Sequence, residues 1–434
     1  MFVRNGACFL ALTLATGIVG CGDDDDPSTD SGETRSVSGL SECRVEVEGF
    51  YYIGGLVPFT GPLSIGDTLV NGIRQSLADI NANGGVNGRP LGLMTCDSGC
   101  DGTTASSNLS ELLAASPTVS GVVGAACSGA TLPMVQDVAT PAGLTVISPA
   151  SSSPALTTVD SAGVFFRTFP SDALQGQIVS AIAEREGLSS VFVINRDDAY
   201  GTGLRDVFIS EFSGTTGAFT YDDTSATFAA DAINAAQAAT PDGVFLIGFQ
   251  TDGAAIFREA IDQSFSPTLW LGPDGLRNAT FVETVANNGA LEGMSGTIPA
   301  ASTGATFDTF DTRYRELFGA APESFTSNAY DATYVLAIAM ELSANPEDVA
   351  EVRSNVANVS SGTEIGPESW ATLVSEIAGG ATSVDYRGAS GPVDFDSAGD
   401  VVAFTEEWEI QGGQFTPTAC WTPSVQQIGA DCQP

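Results

Sequence analysis

Histidine and lysine are both missing from this 434-residue sequence, and all fifteen basic residues are arginine. Without histidine, the chain lacks the commonest general base and the commonest metal ligand of proteins. Without lysine, it can form neither a Schiff base nor the lysine contact of a phosphate-binding P-loop. Paired carboxylates or cysteines remain as possible catalytic groups, but we expect a protein that is not an enzyme and that needs no metal or cofactor.

Positive charge is scarce throughout. The fifteen arginines stand against 53 acidic residues and leave a formal net charge of −38. A protein that binds nucleic acid irrespective of its sequence needs a basic face, so we expect no nucleic-acid partner. The acidic excess favours a highly soluble, salt-tolerant surface.

Apolar runs long enough to span a membrane are also lacking. Residues 7–19 form an apolar run after Arg4, but it is too short to cross a bilayer as a helix. The run ends in Ile-Val-Gly-Cys at Cys21, which resembles a bacterial lipobox, where the cysteine is acylated and becomes the first mature residue. We therefore predict a signal peptide over 1–20 and a lipid-anchored protein. An ordinary secretory signal with an incidental cysteine is the alternative.

The segment after Cys21 begins CGDDDDPSTDSGET and cannot bury a core. We expect residues 21–44 to form a disordered, lipidated tether. The protein would then be exported and anchored to the cell membrane or outer membrane, facing the periplasm or the exterior.

Eight cysteines occur, of which Cys8 lies in the predicted signal and Cys21 at the predicted anchor. An even number remains, and in an exported protein this indicates disulfides. No pair has the CxxC spacing typical of zinc sites. The six are Cys43, Cys96, Cys100, Cys127, Cys420 and Cys432.

The body of the chain alternates short apolar segments with amphipathic ones. Leu69, Ile73, Leu77 and Ile80 share one face of a predicted helix that Asp67 can cap and that Gly84 and Gly85 end. Repeated strand–helix–strand units predict parallel sheets, with ligands at the carboxyl ends of the strands. The predicted strands are 51–58, 91–95, 121–126, 144–148, 190–194, 243–248 and 268–271.

Three extended segments, 164–172, 292–300 and 384–395, are candidate passages between two lobes. The sequence thus predicts an α/β protein of two Rossmann-like lobes with parallel sheets, joined by a multi-strand hinge that can close as a clamp. The expected division assigns 45–167 and 297–386 to the first lobe, 168–296 and 387–415 to the second, and 416–434 to a C-terminal tail.

Four loops follow predicted strands and carry complementary chemistry. The loops at 127–131 and 149–154 offer serine hydroxyls and backbone N–H groups, which suit a small anion such as a carboxylate. The loops at 196–203 and 272–275 offer the phenol of Tyr200 and the carboxylate of Asp274. If the two pairs face each other across a cleft, a zwitterionic amino acid fits both.

The sequence resembles the branched-chain amino acid ABC transporter substrate-binding proteins, the leucine/isoleucine/valine-binding family with a type I periplasmic-binding fold. The resemblance covers roughly residues 50–410. It rests on stretches in family order: VPFTGPLSIGDTLVNGIRQSLADINANGGVNGRPL, GVVGAACSGATLP, VISPASSSPALT, FFRTFPSDALQG, DDAYGTGLRDVF and LWLGPDGL. It implies a monomeric, extracytoplasmic protein that delivers an amino acid or related molecule to an ABC permease complex.

The resemblance also implies roles for individual residues. Ser128, Ala150 and Ser152, with Ser151 beside them, would hold the ligand carboxylate. Tyr200 would close over the ligand and Asp274 would take the ammonium. Phe249 would line the side-chain pocket from the second lobe and Tyr330 from the first. Asp274 replaces the family's longer Glu, Phe249 stands where a tyrosine is usual, and PLSIGD lacks a tyrosine, so leucine itself is in doubt as the ligand.

The resemblance further implies a disulfide between Cys100 and Cys127, because GCDGTTA and AACSGAT match positions that the family bridges. By elimination, Cys43 would pair with Cys96 and Cys420 with Cys432, although the pattern leaves these four open. A Cys100–Cys127 bridge would contribute about 3 kcal/mol.

Simpler interpretations exist for each site residue. The serines could cap helices, Tyr200 and Asp274 could belong to turns, and Phe249 and Tyr330 could be core residues. Other functions also remain open: a ligand-sensing domain of a signalling system, a binder of a small amide or carboxylic acid, a carboxylate-dependent hydrolase, or a surface structural protein.

Overall fold

The computed structural model describes residues 33–285, 288–430 and 432. Cys21, the signal peptide and residues 21–32 of the predicted tether lie outside them. The predicted tether is wrong for residues 33–44, which are packed on the fold. Ser38 pairs with Ser116 as a β-bridge, Cys43 is buried, and Glu111 accepts hydrogen bonds from the backbone N–H groups of 41, 42 and 43.

The first lobe is built on a six-stranded sheet with the order β1-β3-β2-β4-β5-β6. Only β1 is antiparallel to its neighbour, and the other pairs are parallel. The strands are β1 (Arg44–Val47), β2 (Tyr51–Val57), β3 (Leu91–Asp97), β4 (Val122–Gly124), β5 (Val146–Ser148) and β6 (Phe165–Arg167). Its first helices are α1 (Gly66–Ala82), α2 (Gly102–Ala114), α3 (Ser128–Met134), α4 (Thr140–Ala142) and α5 (Pro154–Thr157).

Helix α1 follows the predicted pattern, because its four predicted core residues are all at most 1 % exposed. The predicted cap is wrong: the helix begins at Gly66 after Ile65, with no side-chain cap, and Asp67 lies in the first turn. In the first turn the carboxylate does not cap the helix, but its negative charge interacts favourably with the helix dipole. Gly84 and Gly85 both adopt positive φ just after the helix, as a stop signal requires.

The second lobe is built on an eight-stranded sheet with the order β17-β16-β15-β11-β10-β9-β7-β8. Neighbouring strands among β7 to β11 pair in parallel. At the other edge of the sheet, β15, β16 and β17 each pair antiparallel with the strand before them in the sheet. The strands are β7 (Ser190–Arg196), β8 (Thr215–Tyr221), β9 (Gly243–Ile247), β10 (Leu269–Gly272), β11 (Ser295–Pro299), β15 (Thr405–Gln411), β16 (Gln414–Trp421) and β17 (Gln427–Ile428). The helices are α6 (Asp172–Arg185), α7 (Ala199–Glu211), α8 (Phe228–Ala239), α9 (Gln250–Asp262), α10 (Ala279–Val285) and α11 (Asn288–Leu291).

The remaining elements return to the first lobe, where α13 packs along α1. They are α12 (Ala305–Phe318), α13 (Thr326–Glu341), α14 (Val349–Val356), α15 (Trp370–Ala378) and a small sheet of β12 (Thr363–Ile365), β13 (Val384–Gly388) and β14 (Gly391–Pro392). Asp331 on α13 is buried and accepts hydrogen bonds from Tyr386 and from the N–H groups of Ala389 and Ser390, which fixes this sheet to the lobe.

The strand pairing moves three of the predicted lobe boundaries. The boundary at 296/297 falls inside β11, a strand of the second sheet, and the boundary at 386/387 falls inside β13, a strand of the first lobe. The predicted tail at 416–434 begins inside β16, which pairs along its length with β15. Membership of β11 in the second sheet depends on its pairing with β15, far along the chain, which local composition does not encode.

Two of the crossings between the lobes are tied together by a buried ion pair. Arg167, at the end of β6, is fully buried and binds Asp400 bidentately, with Nε–Oδ1 at 2.6 Å and Nη2–Oδ2 at 2.7 Å. Next to it, Thr168 and Asn328 exchange two hydrogen bonds, of 2.9 and 2.6 Å. The predicted multi-strand connection between two α/β lobes is therefore confirmed. Among the described residues, no helix is long and apolar enough to cross a membrane.

Candidate functional site

Serine hydroxyls from the first lobe line one side of a small cavity between the lobes. Ser128 begins α3 after β4, and its Oγ accepts a hydrogen bond of 3.1 Å from the Ser153 N–H. Ala150 and Ser152 follow β5, and both line the cavity with Ser128. The loop is rigid because Ser148 Oγ donates to the Ala125 carbonyl at 2.6 Å.

Ser151 does not reach this cavity. Its hydroxyl lies 2.7 Å from Thr131 Oγ1 and 3.0 Å from the Ala125 carbonyl, and its N–H donates to Ser148 Oγ. The residue is fully buried among these partners. Its predicted position beside the ligand is therefore wrong, and it connects the β4 and β5 loops instead.

The second lobe brings Tyr200 and Asp274 together on the opposite side. Asp198 caps α7 by accepting from the Gly201 N–H at 2.8 Å, which places Tyr200 in the first turn. The Tyr200 hydroxyl donates to Asp274 Oδ1 at 3.0 Å. Asp274 lies two residues after the end of β10 and is 5 % exposed. Both residues line the cavity.

Asp172 is a second carboxylate at this site, and the sequence reasoning missed it. It is the first residue of α6 and is 1 % exposed, and Ser152 donates to its Oδ2 at 2.9 Å. Serine and aspartate are common at helix starts, so the local pattern of Ser171 and Asp172 indicates only the beginning of α6. Since α6 begins directly after a crossing between the lobes, its first residues lie at the cleft, and that position was the available signal.

Burial changes the acidity of both carboxyl groups. Loss of hydration raises the pKa of Asp274 to about 6, against hydrogen bonds from Tyr200 and Gln175 that lower it. Burial also raises the pKa of Asp172 well above its usual value, and the charge of Asp274 raises it further. Within the described part of the chain, neither carboxylate forms an ion pair with an arginine. A cationic group between the two carboxylates would compensate their buried negative charge.

Aromatic and aliphatic side chains close the cavity. The ring of Phe249 stacks on Tyr200 with centroids 5.3 Å apart and planes at 5°, and the Arg196 guanidinium lies 4.8 Å from the Phe249 ring centroid. Leu63 and Phe325 face them from the first lobe. Phe249 therefore lines the cavity from the second lobe.

Tyr330 does not. Its hydroxyl donates to Asp79 Oδ2 at 2.9 Å and its ring packs on Phe310, so it belongs to the packing between α1, α12 and α13. Phe325, which immediately precedes α13, is the first-lobe aromatic at the cavity. The sequence reasoning chose the correct helix but a residue too far from the end that faces the cleft.

The cavity itself is narrow, at about 10 Å³, which is room for about one water molecule. Its walls nevertheless combine serine hydroxyls, the phenol of Tyr200, the buried carboxylate of Asp274 and apolar rings. Asp172 does not line the cavity and adjoins it through its hydrogen bond with Ser152. This combination can bind and orient a small polar molecule. In the described residues, no three cysteine, aspartate or glutamate side chains are grouped to hold a metal ion.

Disulfides brace the loops around the site. Cys100, before α2, is bonded to Cys127, which immediately precedes Ser128 and also lines the cavity. Cys43 is bonded to Cys96 and Cys420 to Cys432. These are the pairings that the resemblance and the elimination argument had suggested.

Comparisons with known proteins agree with this architecture. Residues 70–412 match the family model described as the receptor family ligand binding region. A chemotactic signal transduction system substrate-binding protein of Halobacterium salinarum is 26% identical over 360 residues, 80% of this chain and 83% of that one. A leucine-, isoleucine-, valine-, threonine- and alanine-binding protein of Pseudomonas aeruginosa is 28% identical over 320 residues, 69% of this chain and 80% of that one.

Among solved structures, a leucine-binding protein of Thermotoga maritima superposes with a TM-score of 0.73 at 21% identity, covering 86% of this chain and 99% of that chain. A Streptococcus pneumoniae substrate-binding protein in complex with isoleucine gives 0.68 at 23% identity, covering 85% of this chain and 99% of that one. The family model covers most of the chain and the fold agrees with it. The chain therefore belongs to the receptor family ligand binding region, the type I periplasmic-binding family.

Proposed function

We propose that this protein is an extracytoplasmic solute-binding protein that captures an α-amino acid or a close relative between its lobes and delivers it to an ABC importer. It acts by binding and lobe closure, without covalent chemistry. The observation that carries the proposal is the meeting, in one cavity, of serine hydroxyls from one lobe with the buried carboxylate of Asp274 from the other.

The carboxylates support an ammonium ligand. Asp172 and Asp274 are both nearly inaccessible to solvent, and each makes a hydrogen bond but no ion pair among the described residues. A buried carboxylate without a counter-charge is costly. A ligand ammonium between the two supplies that charge and donates hydrogen bonds, which favours the closed arrangement of the lobes.

The opposite wall supports a ligand carboxylate. The hydroxyls of Ser128 and Ser152 line the cavity beside Ala150. The Ser152 hydroxyl already donates its one proton to Asp172, which brings the anion side and the cation side close together and leaves the Ser128 hydroxyl to donate to a ligand carboxylate. An α-amino acid carries its ammonium and its carboxylate on one carbon, which suits the short distance between the anion side and the cation side of the cavity.

The relatives support the same ligand class. The Pseudomonas aeruginosa relative is named for binding leucine, isoleucine, valine, threonine and alanine, and a relative in Escherichia coli is named a Leu/Ile/Val-binding protein. In this chain, Phe249 and Leu63 flank the cavity. The proposal leaves the identity of the amino acid to experiment.

A thermal-shift screen of the twenty amino acids, small amides and small carboxylic acids tests the proposal. A ligand that binds only the folded state raises its stability by about 2.7 kcal/mol at a hundred times Kd. We expect at least one α-amino acid to raise the melting temperature and the matching acid without an amino group to have no effect. If only acids lacking an amino group stabilise the protein, the assignment to amino acids is wrong.

Export and anchoring are part of the proposal and rest on the sequence of the N-terminus. Cys21 would be acylated and would hold the protein at a membrane surface. The test is Cys21→Ser in the native host. The variant should leave the membrane fraction for the soluble fraction while retaining ligand binding, and a variant that stays in the membrane fraction would refute the lipid anchor.

A sensing role is the second candidate, because the Halobacterium salinarum relative is named for a chemotactic signal transduction system and matches 80% of this chain. The two roles differ in the partner that recognises the closed form, which is a permease complex in transport and a signalling protein in sensing. Deleting the gene should abolish uptake of the radiolabelled ligand if the protein serves a permease. If uptake persists and the behavioural response to the ligand is lost, sensing is the correct function.

A further inference from the structure

Arg196 lies behind the second-lobe side of the site, and ligand binding as proposed above gives it no part. It is the last residue of β7 and is 8 % exposed. Its guanidinium lies beneath the ring of Phe249, which lines the cavity. Burying a charged group is costly unless it is paired and hydrogen-bonded, so the partners of this arginine indicate what it does.

Three aspartates from different segments bind the one guanidinium. Nε lies 3.0 Å from Asp198 Oδ2, and Nη1 lies 2.7 Å from Asp252 Oδ2 and 3.1 Å from Asp223 Oδ2. Asp198 is the residue before α7, Asp252 lies in the first turn of α9, and Asp223 lies between β8 and α8. The arginine therefore joins three segments that follow three different strands.

Two of these aspartates in turn hold the backbone beside the aromatic residues of the site. Asp198 accepts a hydrogen bond from the Gly201 N–H at 2.8 Å and so caps the turn that carries Tyr200. Asp252 accepts one from the Phe249 N–H at 3.1 Å. The starts of both helices are thus fixed through the same guanidinium.

The aromatic rings are stacked on this guanidinium as well. Arg196 lies 4.8 Å from the ring centroid of Phe249, an arrangement that attracts a cation to the ring. Phe249 stacks on Tyr200, and the Tyr200 hydroxyl donates to Asp274 at 3.0 Å. A continuous series of contacts therefore runs from the arginine to the carboxylate at the cavity.

We propose that Arg196 is a positioning residue of the binding site, which holds Tyr200 and Phe249 in their binding arrangement before the ligand arrives. The inference rests on the proposed function and adds a residue that acts on the site without contacting the ligand. Side chains that are already ordered cost less conformational entropy when a ligand binds. Lysine cannot replace the arginine fully, because its single ammonium lacks the planar fork that binds several carboxylates and stacks on a ring.

Hydrogen exchange of the ligand-free full chain tests the positioning directly. In Arg196→Gln, we expect faster exchange of the Gly201 and Phe249 N–H groups, which donate to two of the aspartates, and unchanged exchange in α8 and α10 of the same lobe. Arg258→Gln, which removes an exposed arginine of α9, is the control and should change neither. Faster exchange throughout the lobe in Arg196→Gln would mean that the arginine only supports the fold.

Calorimetry tests the consequence for binding. The probes are leucine, isoleucine, valine, threonine and alanine, for which the Pseudomonas aeruginosa relative is named, and any further amino acid that raises the melting temperature. For the probes that bind, Arg196→Gln should lower the affinity by about tenfold or more, and Arg196→Lys should restore only part of it. Faster exchange at the two helix starts with unchanged affinity would overturn the inference.

A milder pair of variants serves if Arg196→Gln does not fold. Asp198→Asn keeps the helix cap, because asparagine caps as well as aspartate, but it loses the ion pair. Asp223→Asn loses an ion pair with the same guanidinium on a segment that carries no residue of the site. Asp198→Asn should weaken binding by about threefold or more, and Asp223→Asn should leave it within about twofold. Equal effects of the two variants would overturn the inference.

Failure of the inference differs from failure of the proposed function. If amino acids bind the unmodified protein and bind Arg196→Gln and Asp198→Asn just as tightly, only the role of Arg196 is wrong. If no amino acid binds the unmodified protein, the proposed function is wrong and the inference fails with it.

Discussion

At the scale of single residues, the two buried carboxylates are the most consequential feature of the site. Asp274 follows a buried strand and receives a hydrogen bond from Tyr200, and Asp172 begins a helix and receives one from Ser152. Each is held in a fixed orientation by a hydroxyl. Neither forms an ion pair with an arginine among the described residues, and Asp274 lines the cavity directly.

Replacing Asp274 by asparagine keeps the shape of the turn and removes the charge. Truncating one member of a buried charge pair costs about 2–5 kcal/mol, or roughly thirty- to several-thousand-fold in affinity. Isothermal calorimetry with the best ligand of the screen should show a loss in this range, with little change in melting temperature. Asp206→Asn, which removes a charge from an exposed position, is the matched control. Equal affinity of Asp274→Asn and the unmodified protein would mean that Asp274 only forms the turn.

The raised pKa values predict how binding depends on pH. Burial raises the pKa of Asp274 to about 6 and also raises that of Asp172, so both take up protons more readily than usual as the solution is acidified. A protonated carboxyl cannot pair with an ammonium. Affinity should therefore be highest above pH 6 and should fall below it by up to about tenfold per pH unit for each carboxyl that must lose a proton.

Calorimetry between pH 4.5 and 7.5 measures this dependence. Asp274→Asn should show a shallower decline, because one titrating group has been removed. If the unmodified protein binds equally well at both ends of this range, the two carboxylates do not pair with the ligand.

At the scale of secondary-structure elements, the site is produced by loops that follow parallel strands. The loops after β4 and β5 supply the serines, and the loops after β7, β9 and β10 supply Tyr200, Phe249 and Asp274. Because parallel strands end at the same sheet edge, sequence positions far apart converge there. The Cys100–Cys127 disulfide then joins the loop after β3 to the loop that carries Ser128.

Removing this disulfide with Cys100→Ser and Cys127→Ser should destabilise the protein by about 3 kcal/mol, since 27 residues separate the two cysteines. Denaturant unfolding measures the change. Ligand affinity should also fall, because Cys127 precedes Ser128 and lines the cavity. The pair Cys420→Ser and Cys432→Ser is the control, and it should lower stability without weakening binding. Similar loss of affinity in both pairs would show that the effect on binding is a general consequence of destabilisation.

Helices α5 and α7 form one of the direct contacts between the lobes. Ser153, at the start of α5, donates to the Ala199 carbonyl of α7 at 2.6 Å. A Cβ atom at Gly203 would lie 2.9 Å from Ser153 Oγ and 3.0 Å from Pro154 Cδ. The glycine is therefore required for this close approach rather than for backbone flexibility.

Gly203→Ala should hold the lobes slightly apart and weaken ligand binding by about tenfold, which corresponds to ~1.4 kcal/mol, without touching the site. Calorimetry gives the affinity, and small-angle scattering with saturating ligand should show a larger radius of gyration than for the unmodified protein. Ser210→Ala, on the exposed face of the same helix, is the control. Unchanged affinity in Gly203→Ala would mean that the α5–α7 contact has no part in closure.

At the scale of the whole molecule, the two features that bear most on stability are the negative charge and the hinge between the lobes. The formal charge of −38 acts against compaction, because like charges repel one another over the surface. The buried Arg167–Asp400 pair uses one of the few arginines to tie two crossings between the lobes. Breaking a buried pair of this kind leaves an uncompensated charge, so the hinge depends on both residues.

Salt should stabilise this protein. Raising the NaCl concentration from 0.1 to 1 M shortens the screening distance from about 10 Å to about 3 Å and weakens the repulsion among the acidic residues. We expect the melting temperature to rise by several degrees by calorimetry. Near pH 4, where carboxyl groups take up protons, the same increase in salt should have a much smaller effect. A melting temperature independent of NaCl at neutral pH would show that the surface repulsion is unimportant for stability.

The sequence by itself determined the features that depend on local order. Strand–loop–helix units were visible in the alternation of apolar segments, and with them the α/β class, while the ordered motifs indicated the family. The loops that carry Ser128, Ala150, Ser152, Tyr200 and Asp274 followed, because each comes just after a strand that the sequence indicates, whereas Phe249 was indicated by the resemblance alone.

Tertiary structure alone decided which side chains meet across the cleft. Asp172 has the local pattern of a helix start, and Ser151 has the same pattern as the serines beside it. The sequence pointed to Tyr330 as the first-lobe aromatic at the site, whereas the structure places Phe325 there. The lobe boundary at β11 likewise depended on its pairing with β15, which lies far along the chain. These features come from non-local pairing and from the direction in which a helix end faces, and neither is encoded within a window of neighbouring residues.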